Sequence, residues 1–364
     1  MVRNFESFMG ANTPQGFVSF FDELYNPYEN CTPYIIKGGP GTGKSTLMKK
    51  VAAECRKRGY SVEKVYCSSD PDSLDGIIVP DLGISIADGT SPHTLEPKFP
   101  GACENIINTG AFWNNDKLRE QADEIRSLTL ENSIHHRRSV KYLAAAGSIA
   151  EENIRITSAY IDNDKVDNFA LRFSMRELPR KKNSKPGNRK KRFMSALIPK
   201  GQVFLDEGIK ALASRIIAID DEYSCASSMV ADRIGETAIK NGYDVIFCYC
   251  PMKPRMLCEH IIIPEKNLAI VTVKSSHKTK IEFDRIIHAK RFFRDDISEH
   301  MAYLRFNRRL IRELTDEAIR SLRDAKNTHD KLEKIYVEAM DFKSLEAYLD
   351  RLCEDMFSCS LHFK

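Results

Sequence analysis

Residues 38–45 read GGPGTGKS, which matches the pattern G-x-x-x-x-G-K-[ST] at Gly38, Gly43, Lys44 and Ser45. Those residue types at that spacing suit one task, the holding of a polyphosphate. Glycines let the backbone turn with its N–H groups facing inward, where a Cβ would obstruct phosphate oxygens. A helix starting near Lys44 adds its positive end to the same point. Lys44 then reaches the β- and γ-phosphates, and the Ser45 hydroxyl serves as a magnesium ligand. The binding set is Gly38, Gly39, Pro40, Gly41, Thr42, Gly43, Lys44, Ser45 and Thr46.

Acids nearby supply the remaining chemistry. Asp88 closes the apolar run LGISIA and is the candidate magnesium-side acid (Walker B), joining Ser45 as a metal ligand. The string DGTSPH from Asp88 to His93 is somewhat similar to the D-G-x-P-R segment of adenylate-kinase-type enzymes, and Asp-Gly also suits a plain turn. The stretch SSDPDSLDG holds Asp70, Asp72 and Asp75. Asp70 lies nearest the end of the preceding strand and is the candidate to position a water or accept a proton. Asp-Pro-Asp-Ser is equally an ordinary turn sequence. The catalytic set is thus Lys44, Asp70 and Asp88. For a cation near the γ-phosphate, the candidates are Arg137 and Arg138 in HHRR, or a residue of the second half of the chain.

The elements that must position these groups follow from periodicity. Tyr34–Lys37 (YIIK) reads as a strand ending in glycines. Ser45–Arg58 carries apolar residues at Leu47, Met48, Val51, Ala52 and Cys55, one face of a helix. Gly59 stops it, after basic residues that suit the negative end of the dipole. Ser61–Cys67 and Leu82–Ala87 read as further strands, and residues 116–152 and 296–352 as helical. Strands alternating with helices predict an α/β fold with parallel sheets.

The chain also repeats itself. FMGANTPQGFV (Phe8–Val18) returns as FMSALIPKGQV (Phe193–Val203), Gly59-Tyr60 as Gly242-Tyr243, and IRSL at Ile125 as IRSL at Ile319. His93 pairs with His277 and His135 with His329; since only one half has the loop, these histidines read as structural. The fold expectation is therefore two tandem P-loop NTPase-like halves, each followed by a long helical section. The boundaries are 1–165 for the half with the intact loop, 166–191 for a basic linker, and 192–364 for a degenerate repeat. Carrying the offset through, Gly38–Ser45 falls on Asp221–Ser228 (DEYSCASS), Asp88 on Thr272 and Asp70 on Lys253. Glycines, lysine and both acids are missing together, as expected if they formed one site.

Composition narrows the setting. Residues 180–192 hold eight basic residues and no acid; without them the net charge of +4 becomes −4. That block reads as a solvated linker, and it lacks the interleaved aromatics of a nucleic-acid arm. No apolar run is long enough for a membrane span and no signal-peptide pattern opens the chain, so the expected location is the cytoplasm. The ten cysteines lack paired zinc spacing and read as reduced thiols.

Together, F-M-G-A-N-T-P-Q-G-F-V, I-I-K-G-G-P-G-T-G-K-S-T-L-M-K-K, C-S-S-D-P-D-S-L-D-G and D-G-T-S-P-H resemble a family of uncharacterised bacterial P-loop ATPases. Its members are built as two tandem P-loop halves, and the likeness covers nearly the whole chain. The resemblance implies a nucleotide in each half; the second half departs from it, so one nucleotide per chain is the expectation. Three functions compete: an ATPase or GTPase driving a conformational change, a kinase for a nucleotide or other small molecule, and a nucleotide-gated scaffold with little turnover. No N-K-x-D motif selects guanine, so ATP with Mg2+ is the default and GTP stays open. No helicase-type motifs follow the loop, which argues against a nucleic-acid motor. The protein or small-molecule partner is unknown.

Overall fold

A computed structural model describes residues 4–26, 31–70, 72–92, 94–182, 184–295 and 297–359. The chain opens with three short strands, β1 (Asn4–Ser7), β2 (Gly10–Thr13) and β3 (Gly16–Ser19), before β4 (Thr32–Lys37) leads through the glycine loop into α1 (Lys44–Lys57). Then come β5 (Val62–Tyr66), β6 (Leu74–Val79), β7 (Ile84–Asp88), β8 (Asn105–Asn108), α2 (Asn115–Glu120), α3 (Ala122–Ala159) and α4 (Asn163–Glu177). The order then returns with β9 (Arg189–Arg192), β10 (Ser195–Ile198), β11 (Gly201–Phe204), a short α5 (Asp206–Leu212), β12 (Arg215–Asp220) and α6 (Cys225–Lys240). Strands β13 (Val245–Tyr249), β14 (Cys258–Ile263), β15 (Leu268–Val273) and β16 (Arg285–His288) precede α7 (Met301–Ala339) and α8 (Phe342–Cys359).

The architecture is α/β with two six-stranded sheets, ordered β1-β5-β6-β7-β4-β8 and β9-β13-β14-β15-β12-β16. These orders correspond strand for strand. Each sheet is parallel-dominated rather than wholly parallel. β4 runs parallel to β7 and β8, but β6 is antiparallel to both β5 and β7. The inverted strand was not read from the sequence because its Asp75-Gly76 suggests a turn. The fit at Gly76 is tight: a Cβ would lie 3.0 Å from Leu24 Cδ1 and 3.2 Å from Ile86 O. The tight turn after β6 passes through Gly83 at φ 63, a left-handed conformation that glycine adopts without strain.

The chain divides into two compact units, one of residues 1–6, 19–138 and 320–364, the other of 7–18 and 139–319. These cuts differ from the expected boundaries at 165 and 192, because α3 and α7 each run unbroken from one unit into the other. In unit 2 the repeated segments pair with each other: Phe8 and Phe193 exchange backbone hydrogen bonds of 2.9 and 2.8 Å, and the Asn12 amide donates to Leu197 O. The span expected as a linker holds most of α4 and an edge strand. β9 pairs in parallel with β13, and Arg189 lies 3.8 Å over the Phe247 ring. Basic side chains on an edge strand discourage pairing with other chains.

The core of unit 1 lies between its sheet and α1. Leu47, Met48, Val51, Ala52 and Cys55 of α1 pack on Tyr34 and Ile36 of β4, Ile77 and Val79 of β6, and Ile84 and Ile86 of β7. α8 closes the same core with Leu345, Leu349 and Met356. Alternation along the strands therefore fixes which face carries the chemistry: positions in phase with these residues face α1.

Candidate functional site

β4 delivers the glycine loop to the start of α1. Gly41 and Gly43 have φ of 66 and 80, values that a residue with a Cβ adopts only with strain. A Cβ on Gly38 would lie 1.9 Å from Thr109 Oγ1, so the turn is packed as well as bent. Thr42 donates to Gly39 O at 2.8 Å, and Thr109 donates to Thr42 Oγ1 at 2.9 Å. The N-cap of α1 is Gly43, which contributes no side-chain cap. The first N–H groups of the helix thus meet the loop with no carboxylate or hydroxyl of their own cap bound to them.

Lys44 lies back along the loop, donating to Gly39 O at 2.6 Å and Gly38 O at 3.1 Å. Its ammonium is also 3.6 Å from Asp88 Oδ2. Asp88 ends β7 beside Ile36 of β4, in phase with Ile84 and Ile86 on the α1 face. Its other oxygen accepts Thr90 N at 2.9 Å. Lys37 pins the following loop by donating to Gly89 O and Leu95 O. The structure therefore brings Lys44, Ser45 and Asp88 together. His93 lies outside the described residues.

The acidic stretch after β5 is rearranged by the strand the sequence hid. Asp70 sits in the turn between β5 and β6, accepts Ser73 Oγ at 2.8 Å, and has the Lys326 ammonium 4.0 Å away. β6 and β7 separate it from β4 in the sheet. Asp72 is exposed, and its carbonyl accepts Lys49 Nζ. Asp75 is the acid carried toward the loop. Leu74 N donates to Ser45 Oγ at 3.0 Å, and Gly76 pairs with Ala87. Between these two contacts Asp75 is the residue skipped where β6 slips its register against β5, with Val65 paired to Gly76 and Tyr66 to Leu74, a bulge that interrupts strict alternation of faces. Asp75 is buried, at 4% exposure. Burial and the Asp75 charge push the Cys67 thiol well up, which keeps that thiol protonated and inert.

Ser45 Oγ and the Asp88 carboxylate, with Asp75 alongside, form a hard-oxygen donor set of the kind that suits Mg2+. The α1 N-terminus and the loop N–H groups suit phosphate. Arg137 and Arg138 are exposed on α3. Besides Lys49 at the Asp72 carbonyl, Lys326 of α7 approaches Asp70 in the acidic turn; the sequence pointed to it only as an unspecified residue of the second half.

The counterpart in unit 2 is built differently. β12 ends at Asp220 and α6 starts at Cys225, so the joining loop is Asp221–Ser224, two residues shorter than Gly38–Gly43. By helix start, Lys44 thus matches Cys225, a refinement of the match to Ser227. The buried Asp221 carboxylate accepts Ser227 N at 2.9 Å in the first turn of α6. Thr272 takes the position of Asp88 beside β12, and Glu259 is skipped where β14 slips against β13, as Asp75 is where β6 slips against β5. Lys274 forms an ion pair with Glu259. His260 and His277 approach the other Glu259 oxygen at 4.0 and 3.6 Å.

Glu259, His260 and His277 have the composition of a metal site, but the hydrogen bonding argues against one. His260 Nδ1 accepts Thr272 N at 3.1 Å, so the ring proton sits on Nε2, which faces the cluster. A cation there would meet an N–H and the Lys274 ammonium. His277 Nδ1 lies 3.2 Å from Thr272 O, the structural bond expected of it.

Comparison with known proteins agrees with the geometry over a limited span. A family model described as NTPase matches residues 33–73, from β4 through the loop and α1 to the turn before β6. The match supports a nucleotide-binding P-loop in this segment. No curated protein and no solved structure shows a significant match. Among the described residues, no helix is long and apolar enough to cross a membrane.

Proposed function

We propose that this chain is a cytoplasmic Mg-dependent ATPase that binds one nucleotide per chain at the Gly38–Thr46 loop and couples hydrolysis to movement of its helical sections. The observation that carries the reading is the convergence of Lys44, Ser45 and Asp88 at an α1 N-terminus without a side-chain cap. Loop N–H groups and Lys44 hold the β- and γ-phosphates, trading the carbonyl contacts Lys44 makes along the loop. Ser45 and Asp88, with Asp75 beside them, hold the metal. The metal, when bound, neutralises charge developing on the phosphate oxygens. With β6 inserted between its strand and β7, Asp70 is better placed to anchor Lys326 than to act as the base; Asp75 and Asp88 are the acids at the phosphate end.

The correspondence of the two strand orders, together with the repeated segments, supports an origin by duplication in which the second half gave up its nucleotide. ATP rather than GTP remains the default, since no guanine-selecting motif is present in the sequence. The test is phosphate release by purified protein and by Lys44→Ala, with and without nucleoside and sugar acceptors. The reading predicts acceptor-independent release in the wild type and none from the variant. Release only with an acceptor identifies a kinase, and binding without release identifies a gated scaffold.

A further inference from the structure

The C-terminal part of α7 runs along the loop in unit 1. A Cβ on Gly41 would lie 2.7 Å from Val337 Cγ2 and 2.8 Å from Glu333 Cγ, and one on Gly39 would lie 2.8 Å from the Tyr336 ring. Eleven residues earlier on the same helix, Lys326 stands 4.0 Å from Asp70 at the end of β5. The two contact points span about 16 Å at the rise of an α-helix. β5 and β4 are three positions apart in the sheet, a separation of about 14 Å at ordinary strand spacing. α7 therefore crosses the strand ends from β5 to β4. In α/β sheets the crevice outside the carboxyl ends of the strands is where ligands bind.

The helix does not seal that crevice. Val337 is 40% exposed, and the Lys326 and Asp70 side chains are 24% and 27% exposed. Lys326 is directed by two carboxylates, Asp70 and Asp330, the latter one turn on along α7. This arrangement keeps an ammonium extended at the rim of an anion site with acids that a phosphate can replace.

We propose that α7 walls the nucleotide crevice and that Lys326 contacts the γ-phosphate of a bound nucleoside triphosphate, exchanging its approach to Asp70 for phosphate oxygens. This rests on the reading of Gly38–Thr46 as the nucleotide site. Lys326 is then the residue that tells triphosphate from diphosphate, because the diphosphate lacks the group it touches. Asp70 is a positioning residue that holds the ammonium when no γ-phosphate is present. Glu333, Tyr336 and Val337 sense the loop itself.

The sole tryptophan, Trp113, packs on Tyr336 with ring centroids 5.7 Å apart, so its emission reports on this wall. Affinities for Mg-ADP and for a non-hydrolysable Mg-ATP analogue are measured by calorimetry, with Trp113 emission recorded alongside, for wild type, Lys326→Ala, Lys326→Arg and Lys44→Ala. Lys326→Ala is expected to weaken the triphosphate about tenfold or more while ADP stays within about twofold, the scale of one lost charge-assisted hydrogen bond. Lys326→Arg, which keeps the charge, should retain most of the preference. Equal losses for both nucleotides, or no loss for either, overturns the assignment. If Lys44→Ala abolishes binding while Lys326→Ala matches wild type, only the role of Lys326 falls. If wild type binds neither nucleotide, the reading of the loop falls with it.

Discussion

In unit 1, helix α1 begins at Gly43, a cap without a side chain, behind a six-residue loop of which four residues are glycine. In unit 2, helix α6 begins behind Asp221–Ser224, and the Asp221 carboxylate reaches the Ser227 N–H. A helix N-terminus attracts negative charge in either case. The first leaves that attraction for a ligand, and the second satisfies it from its own chain. The strand ends follow the same logic. In unit 1 the carboxylate Asp88 ends β7 with the Lys44 ammonium 3.6 Å away and Asp75 lies in the neighbouring strand β6, oxygen donors of the kind that suit a divalent cation. In unit 2, Thr272 removes one carboxylate and Lys274 neutralises the other, Glu259. Matched strand orders thus carry an open site on one side and an internally balanced one on the other.

The largest effect expected from disturbing this contrast is in unit 2. Lys274→Met leaves Glu259 charged and buried without its partner, and should cost about 3–5 kcal/mol of unfolding free energy in urea titration. Adding Glu259→Gln should recover most of the loss; a single variant as stable as wild type would show that the pair is not what balances the site. Next comes Asp75. Asp75→Asn should weaken Mg-ATP about tenfold while metal-free ATP binding holds within about twofold, as befits a carboxylate that serves the cation. Equal loss in both conditions would make Asp75 a packing residue only. Asp221→Ala removes a helix-terminal acceptor and should cost about 1 kcal/mol without creating a second nucleotide site, because the loop would still lack glycines and lysine.

A smaller effect concerns pH. Burial lowers His277 from 6.5 to about 4 and His260 to about 3, so both are neutral in the folded protein at pH 7. The unfolded chain binds protons to them from about pH 6.5 downward, the folded chain only near 4. Stability from this cluster is therefore complete above pH 6.5 and declines as the pH falls toward 4. Although burial opposes it, the Lys274 ammonium and the two histidines hold the Glu259 carboxyl well below the usual range, which acts in the same direction at lower pH. A urea midpoint that drops across that window in wild type but less in His277→Gln is the expected result; identical slopes would remove His277 from the linkage.

The glycine loop, α1 and the strands on either side were legible because each rests on a local pattern: glycine spacing, one apolar helix face, and a C-terminal Gly59. The end of β7 at Asp88 was legible because an apolar run closes there. β6 was not, since Asp75-Gly76 carries a turn signal locally, while its place in the sheet is set by pairing with β7 and by the close approach of Ile86 O to Gly76. Without that strand, the sequence favoured Asp70, the acid nearest the end of β5, over Asp75. The unit boundaries were hidden for a different reason. Repeat spacing shows which segments correspond, but not that residues 7–18 cluster with unit 2 or 320–359 with unit 1. Lys326 likewise came into view only through the path of α7, which no short motif encodes.

The central claim is one open phosphate site per chain, at Gly38–Thr46. Calorimetric titration of the intact protein with a non-hydrolysable Mg-ATP analogue tests it directly, alongside Lys44→Ala and Ser227→Ala. One nucleotide per chain is predicted for wild type and for Ser227→Ala, and none for Lys44→Ala. Two nucleotides per wild-type chain, or undiminished binding by Lys44→Ala, would contradict it.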